Sequence, residues 1–148
     1  MSHPFSPVYL DQQIARVLAI LPAAGAYDPT PLELYCNTFG RVTLFFTYTA
    51  GKIVGAFAFR IDTSPDGAGA VWDRMTLYDP AVVATGFDIQ SDIQREAIEY
   101  GTLGADPETF VYGPIALGGA AERIRIAAAE TGDLVFRGTL EIRAVFGE

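Results

Sequence analysis

Histidine is missing from the body of this sequence: the only one, His3, sits two residues from the start in a proline-rich stretch, and Cys36 is the only cysteine. Sites built on imidazole or thiolate are thereby excluded from most of the chain, including Ser-His-Asp triads, His/Cys metal centres and internal disulfides. Lysine is nearly absent too, since nine of the ten basic residues are arginine and only Lys52 is lysine. With 18 acidic residues the net charge is −8, which argues against nucleic acid as the main partner, because phosphate binding needs clustered cations to release counterions. No basic stretch is available for an anionic membrane surface, and no apolar run reaches the length of a bilayer span. The first ten residues lack the charged and apolar regions of a secretory signal, so the chain is expected to be soluble as made.

What is present is apolar. Hydrophobic residues make up 50% of the 148 residues and charged ones only 19%, below the usual quarter. One domain of ordinary size is expected, large enough to bury a core without staples. The low charge implies either a well-packed domain with small residues on its surface or apolar surface covered by a partner. Scarce Cys, Met and Asn suit a hot habitat, although a GC-rich genome leaves the same signature. Cys36, in neutral surroundings, reads as a small buried hydrophobe.

The pattern is that of strands. Residues 1–13 (MSHPFSPVYLDQQ) hold Pro4 and Pro7 among Phe5, Val8, Tyr9 and Leu10, which predicts an extended arm that docks on the domain's own surface or on a neighbour's. A strand over 14–21 and a breaker-rich loop follow. In RVTLFFTY, Val42, Leu44, Phe46 and Tyr48 share one face; after the turn Ala50-Gly51-Lys52, Ile53, Phe57, Phe59 and Ile61 share another, so the two segments read as a hairpin. The small Val54, Ala56 and Ala58 predict that this second strand is covered on its other face by an arm or another subunit. VWDRMTLY (71–78) alternates as one strand, SDIQREAIEY (91–100) reads as strand in preference to helix, and ETFVYGPIAL, RIRIAAAE and FRGTLEIRAVF supply the last three. Seven to nine strands about ten residues apart predict an all-β antiparallel sandwich or jelly roll over 14–148, preceded by the arm.

Four constellations have the residue types that chemistry or recognition needs. Asp62, Asp66 and Asp73 form an oxygen-rich loop that is either a solvated turn or a cation site, without the spacing of an EF-hand. Asp88, Asp92, Glu96 and Glu99 are either a solvated acidic face or a carboxylate pair of the glycosidase kind. Arg123, Arg125, Arg137 and Arg143 would form one patch if the last two strands pair, meeting an acidic patch on a second copy or pairing internally with Glu122, Glu130 and Glu141. Trp72, Tyr78, Tyr100 and Tyr112 are core residues or a sugar-stacking platform.

The C-terminal run AERIRIAAAETGDLVFRGTLEIRAVFGE, with the earlier ATGFDIQ, resembles the closing strands of small β-sandwich virion proteins of tailed bacteriophages. The arm and the composition extend the likeness to capsid decoration (cementing) proteins of thermophilic phages. The resemblance implies a structural protein of the capsid surface, without catalysis or cofactor, whose partners are a major capsid protein and further copies of itself, often as a trimer. The interface residues it implies are Phe5, Val8, Tyr9 and Leu10 in the arm and Arg123, Arg125 and Arg143 at subunit contacts. The rival expectation is a carbohydrate-binding β-sandwich module of a phage tail or secreted enzyme, which requires Trp72 or the tyrosines to lie exposed in a line.

Overall fold

The computed structural model describes residues 10–36, 39–52, 55–66, 71–75, 77–78, 89–90, 93–97, 107–117 and 121–147. Eleven strands lie among them: β1 (Leu10–Ile20), β2 (Glu33–Tyr35), β3 (Arg41–Thr49), β4 (Gly55–Ser64), β5 (Asp73–Arg74), β6 (Leu77–Tyr78), β7 (Ile89–Gln90), β8 (Ile93–Ala97), β9 (Glu108–Ala116), β10 (Arg123–Glu130) and β11 (Thr139–Gly147). One sheet has the order β1-β11-β3-β9. The other runs β2-β10-β4, with β5 and β8 both along the far side of β4. Every pairing is antiparallel. The pairs β1·β11, β2·β10, β3·β9 and β4·β8 nest inside one another, as if one long hairpin had been rolled into two sheets. That is the jelly roll, an all-β sandwich as the strand spacing predicts.

Period-2 alternation assigns the two faces of the central strands. Val42, Leu44, Phe46 and Tyr48 of β3 and Leu140, Ile142, Ala144 and Phe146 of β11 are buried from one sheet; Phe57, Phe59 and Ile61 of β4 and Ile124, Ile126 and Ala128 of β10 meet them from the other. Phe46 sits 5.3 Å from Phe57 and 4.6 Å from Phe59 between ring centroids, and Tyr48 lies 5.2 Å from Phe57, all tilted as aromatic quadrupoles prefer.

This packing overturns the hairpin expected for the segments around Ala50-Gly51-Lys52. Strands β3 and β4 belong to different sheets, and the turn carries the chain across the sandwich. Two strands with one aromatic face each satisfy burial either side by side or face to face, and the aromatic contacts here are face to face. Residues 71–78 are likewise not one strand: β5 pairs with β4 and β6 pairs with β7. Strand β1 begins at Leu10, paired with Gly147, so residues 10–13 are sheet and not arm. The small residues of β4 and β10 are covered by the chain itself: Ala56, Ala58, Ala127 and Ala129 are all buried within one molecule.

Candidate interaction surface

Two buried charged side chains shape the surface. Arg16 of β1 is 9% exposed and donates five hydrogen bonds. Its Nε and Nη2 grip the Asp28 carboxylate at 2.9 and 3.2 Å, and its Nη groups reach the carbonyls of Ala19, Ile20 and Leu140. Between Arg16 and Ala19 the register of β1 against β11 shifts, because Arg16 faces Ile142 and Ala19 faces Leu140. A bulge leaves backbone groups unpaired and kinks the strand. Here the guanidinium takes up carbonyls on both sides of it, and Val17 and Leu18, each 61% exposed, are thrown outward. Asp28 is held in turn by β10, where its N–H donates to the Ala128 carbonyl and its Oδ2 accepts from the Ala128 N–H. The pair therefore ties the edge strand of one sheet to the second sheet.

Glu130, the last residue of β10, is fully buried. One oxygen accepts from the Tyr48 hydroxyl at 2.7 Å and the Gly138 N–H at 2.8 Å; the other accepts from the N–H groups of Ala56, Gly132 and Asp133 at 3.0–3.2 Å. Five donors converge on a group that only accepts when ionised. Burial, then the bond to Glu130, pushes the Tyr48 hydroxyl pKa upward. The turn needs glycine at 132, where a Cβ would come 2.5 Å from the Ala56 nitrogen. Asp133 then accepts from the N–H groups of Phe136 and Val135, and these bonds lower its pKa. Lys52 lies 3.7 Å from the centroid of the Phe136 ring. The outcome is a fixed loop presenting Leu134, Val135 and Phe136 at 47%, 77% and 46% exposure. Ile20, 55% exposed, lies on the neighbouring stretch of β1, which is tied to this loop by Leu21 N–H to the Gly138 carbonyl and Arg137 Nε to the Leu21 carbonyl.

The arginines expected to share a patch do not. Strands β10 and β11 lie in different sheets, so Arg123 and Arg125 occupy the outer face of one and Arg143 the outer face of the other. Each has an internal partner: Arg123 binds Glu33 at 2.8 Å and lies over Tyr35, Arg125 binds Asp62 at 3.0 Å and lies over Trp72, and Arg143 binds Glu141 at 3.1 Å. Asp62 also holds Arg74, so its carboxylate serves two guanidinium groups and is not an open cation ligand; among the described residues no three acidic, His or Cys side chains cluster as a metal site. Trp72 is half-buried with one ring face against Arg125, and Tyr112 is buried and stacked edge-on to Phe59. Glu96 stands on β8 opposite Ala56, and Tyr78 lies on β6. Phe5, Val8, Tyr9, Asp88, Asp92, Glu99 and Tyr100 lie outside the described residues. Cys36 is buried, and burial pushes its thiol up to about 11.

Sequence reasoning missed Arg16 and Asp28, and it offered Glu130 only as an internal partner for the arginines, whereas its carboxylate accepts from Tyr48 and four backbone N–H groups. A signal existed for one of them: Ile124, Ile126, Ala128 and Glu130 have the same parity, so the alternation of β10 carries Glu130 onto the core face. Scans against protein-family models and curated proteins find no match to this chain.

Proposed function

We propose that this is a structural assembly protein, a decoration protein that binds the outside of a major capsid lattice and stabilises it by non-covalent contacts. The observation that carries this reading is the use made of two of the buried charged groups, Arg16 and Glu130. Arg16 and Glu130 make ten hydrogen bonds between them, and five of these hold the segments that keep apolar side chains out in water: those to the Ala19 and Ile20 carbonyls and from the N–H groups of Gly132, Asp133 and Gly138. Preorganised apolar surface of this kind favours binding, because its ordering cost is already met in the free protein. Val17, Leu18, Ile20, Leu134, Val135 and Phe136 keep roughly half or more of their area exposed. Full burial of such a side chain is worth about 1.5–3 kcal/mol, so covering all six supplies on the order of 5–9 kcal/mol per copy before association costs. Repeated over a lattice, that is enough to resist internal pressure without chemistry. The arm residues Phe5, Val8 and Tyr9 add further apolar anchors, and residues 1–9 are the segment to remove, since Leu10 already belongs to β1.

The test is binding to purified expanded capsid shells by co-sedimentation. The full chain should saturate a fixed number of sites, and deletion of 1–9 should weaken attachment while leaving the fold and its melting unchanged. Undiminished attachment of the truncated protein would remove the arm from the mechanism, and failure of the full chain to bind shells would overturn the reading.

One feature favours the carbohydrate alternative. On the outer face of the β1-β11-β3-β9 sheet a groove of about 440 Å³ is lined by Phe45, Thr47, Thr109, Val111, Gln12 and Arg143, an aromatic surface ringed by hydroxyl, amide and guanidinium groups. Binding on a glycan array that is lost in Phe45→Ala would support that reading.

A further inference from the structure

We infer that the groove on the outer face of the β1-β11-β3-β9 sheet binds an acidic sugar, a uronate or sialate residue whose ring lies on Phe45 and whose carboxylate is held by Arg143. The groove's volume of about 440 Å³ falls within the range of small-ligand sites. Its lining is laid out by strand register. Arg143 stands opposite Phe45 and Phe45 opposite Val111, so a guanidinium, a phenyl ring and an isopropyl group follow one another across three strands. Thr47 and Thr109, also a facing pair, form the next row of the same face, about 7 Å further along. Gln12, opposite Val145, stands on the other side of that first row. Cross-strand neighbours are about 4.5–5.5 Å apart at Cβ, so a ring stacked on Phe45 carries its carboxylate to Arg143 and its hydroxyls towards the threonines.

Charge selects the ligand. The molecule carries a net charge of −8, yet among the described residues that line this groove Arg143 alone is charged. Its side chain keeps 46% of its surface exposed, and Glu141 accepts from its Nε alone, at 3.1 Å. Among the described residues neither of its Nη groups donates a hydrogen bond. The forked end of the guanidinium is therefore left for a carboxylate, whose two oxygens it matches. The rest of the lining suits a sugar better than a peptide. Strands β11 and β3 are flanked on both sides, so their backbone groups are engaged in the ladder and an extended chain laid across them finds no backbone partners. Thr47, Thr109 and Gln12 instead offer hydroxyl and amide groups that pair with ring hydroxyls, and Phe45 and Val111, 42% and 58% exposed, offer apolar surface to the C–H face of the ring. This inference rests on the carbohydrate reading of the groove and is independent of attachment to a capsid.

The experiment is isothermal titration calorimetry of the full chain with uronate- and sialate-bearing oligosaccharides, each beside its carboxyl methyl ester, and with poly-glutamate. The ester keeps the sugar and removes the charge. At least one acid should bind about tenfold or more tighter than its ester, since the ester forfeits a charge-assisted pair. Arg143→Gln should bind acid and ester alike, and Phe45→Ala should bind neither; both positions are exposed, and circular dichroism checks that each variant folds. Glu141→Gln removes the competing carboxylate, so it should tighten the acid and leave the ester unchanged, which a merely structural Arg143 would not produce. An acid bound no better than its ester, or a preference that survives in Arg143→Gln, overturns the inference and leaves the carbohydrate reading standing. Undiminished binding by Phe45→Ala places the sugar elsewhere and overturns it too. Poly-glutamate bound as tightly as any sugar overturns it because the groove then reads charge alone, and no binding of any sugar overturns the inference and the carbohydrate reading together.

Discussion

Replacing Glu130 tests the central physical claim, that one buried carboxylate holds the β10–β11 loop in place. In Glu130→Ala five donors lose this acceptor together: the Tyr48 hydroxyl and the N–H groups of Ala56, Gly132, Asp133 and Gly138, of which Gly132 keeps a longer bond to the Ala56 carbonyl at 3.3 Å. A buried donor left unsatisfied costs about 1–3 kcal/mol. Ala56 N–H and the Tyr48 hydroxyl are deepest, while Gly132 and Asp133 can recover water once the loop lifts. The expected loss is therefore on the order of 4–6 kcal/mol, short of the full sum and a large share of the ~5–15 kcal/mol that holds a domain together. Glu130→Gln is the sharper variant. With its oxygen toward Ala56, Gly132 and Asp133 it keeps three bonds, and its NH₂ can donate to the Tyr48 oxygen, because a hydroxyl also accepts. Only the Gly138 N–H is then opposed by another donor, for a cost of about 1–3 kcal/mol. Tyr48→Phe removes a single neutral-to-charged bond and should cost about 1.5–3 kcal/mol. Urea unfolding measures all three, and amide hydrogen exchange at Gly132, Asp133 and Gly138 reports whether the loop loosens before global unfolding. If Glu130→Ala costs less than about 1 kcal/mol, or those amides exchange at an unchanged rate, the carboxylate does not hold the loop and the preorganisation argument fails.

Arg16→Met should destabilise by about 3–5 kcal/mol, because it strands the Asp28 carboxylate and three carbonyls at the β1 bulge; double-mutant analysis with Asp28→Asn in urea separates the ion pair from the carbonyl bonds. Alkaline stability should fall in two steps. Cys36 titrates from 9.0 in the unfolded chain to about 11 in the fold, so the stability it contributes is whole below pH 9 and is lost as pH rises towards 11; the raised Tyr48 hydroxyl adds a second loss beginning near pH 10. Cys36→Ala should delay the first step and Tyr48→Phe should remove the second, read as melting temperature against pH, and an unchanged profile in both would refute the assignment.

The strands were legible because their information is local. The alternation in β3, β10 and β11 assigns Val42, Ile124 and Leu140 to the core whatever they pack against, and the turn residues mark where each strand ends. Partnership is not local. Nothing in the residues around Gly51 distinguishes a hairpin from a crossing between sheets, and that choice was made by Phe46 finding Phe57 and Phe59 across the sandwich. The same gap undid the arginine patch, which depended on β10 and β11 being neighbours. Strand β2 escaped notice because three residues carry almost no period; it exists through its pairing with Arg123, Ile124 and Arg125. The surface was hardest to read. In a regular strand Val17 and Leu18 would point to opposite faces, one of them inward, and it is the register shift beside Arg16 that leaves both exposed.

The buried charges bear directly on what the surface is for. A fold selected for stability alone gains little from an ion pair at Arg16 and Asp28 or a lone carboxylate at Glu130, since well-packed apolar replacements of similar volume are often as stable or more so. What apolar residues cannot supply is direction. A methyl group in place of the Arg16 guanidinium leaves the carbonyls of Ala19, Ile20 and Leu140 to find other partners, and the simplest way to do so is to restore the regular ladder, which would turn Val17 and Leu18 back into alternation. An apolar side chain at 130 would leave the N–H groups of Gly132, Asp133 and Gly138 to seek water, and the loop would open. In both places the polar group selects one backbone path among several of similar energy, and in both the selected path exposes hydrophobic side chains. Local cost of this kind persists where the displayed surface meets a partner, so covering that surface should raise the melting temperature more than any single repair of the core.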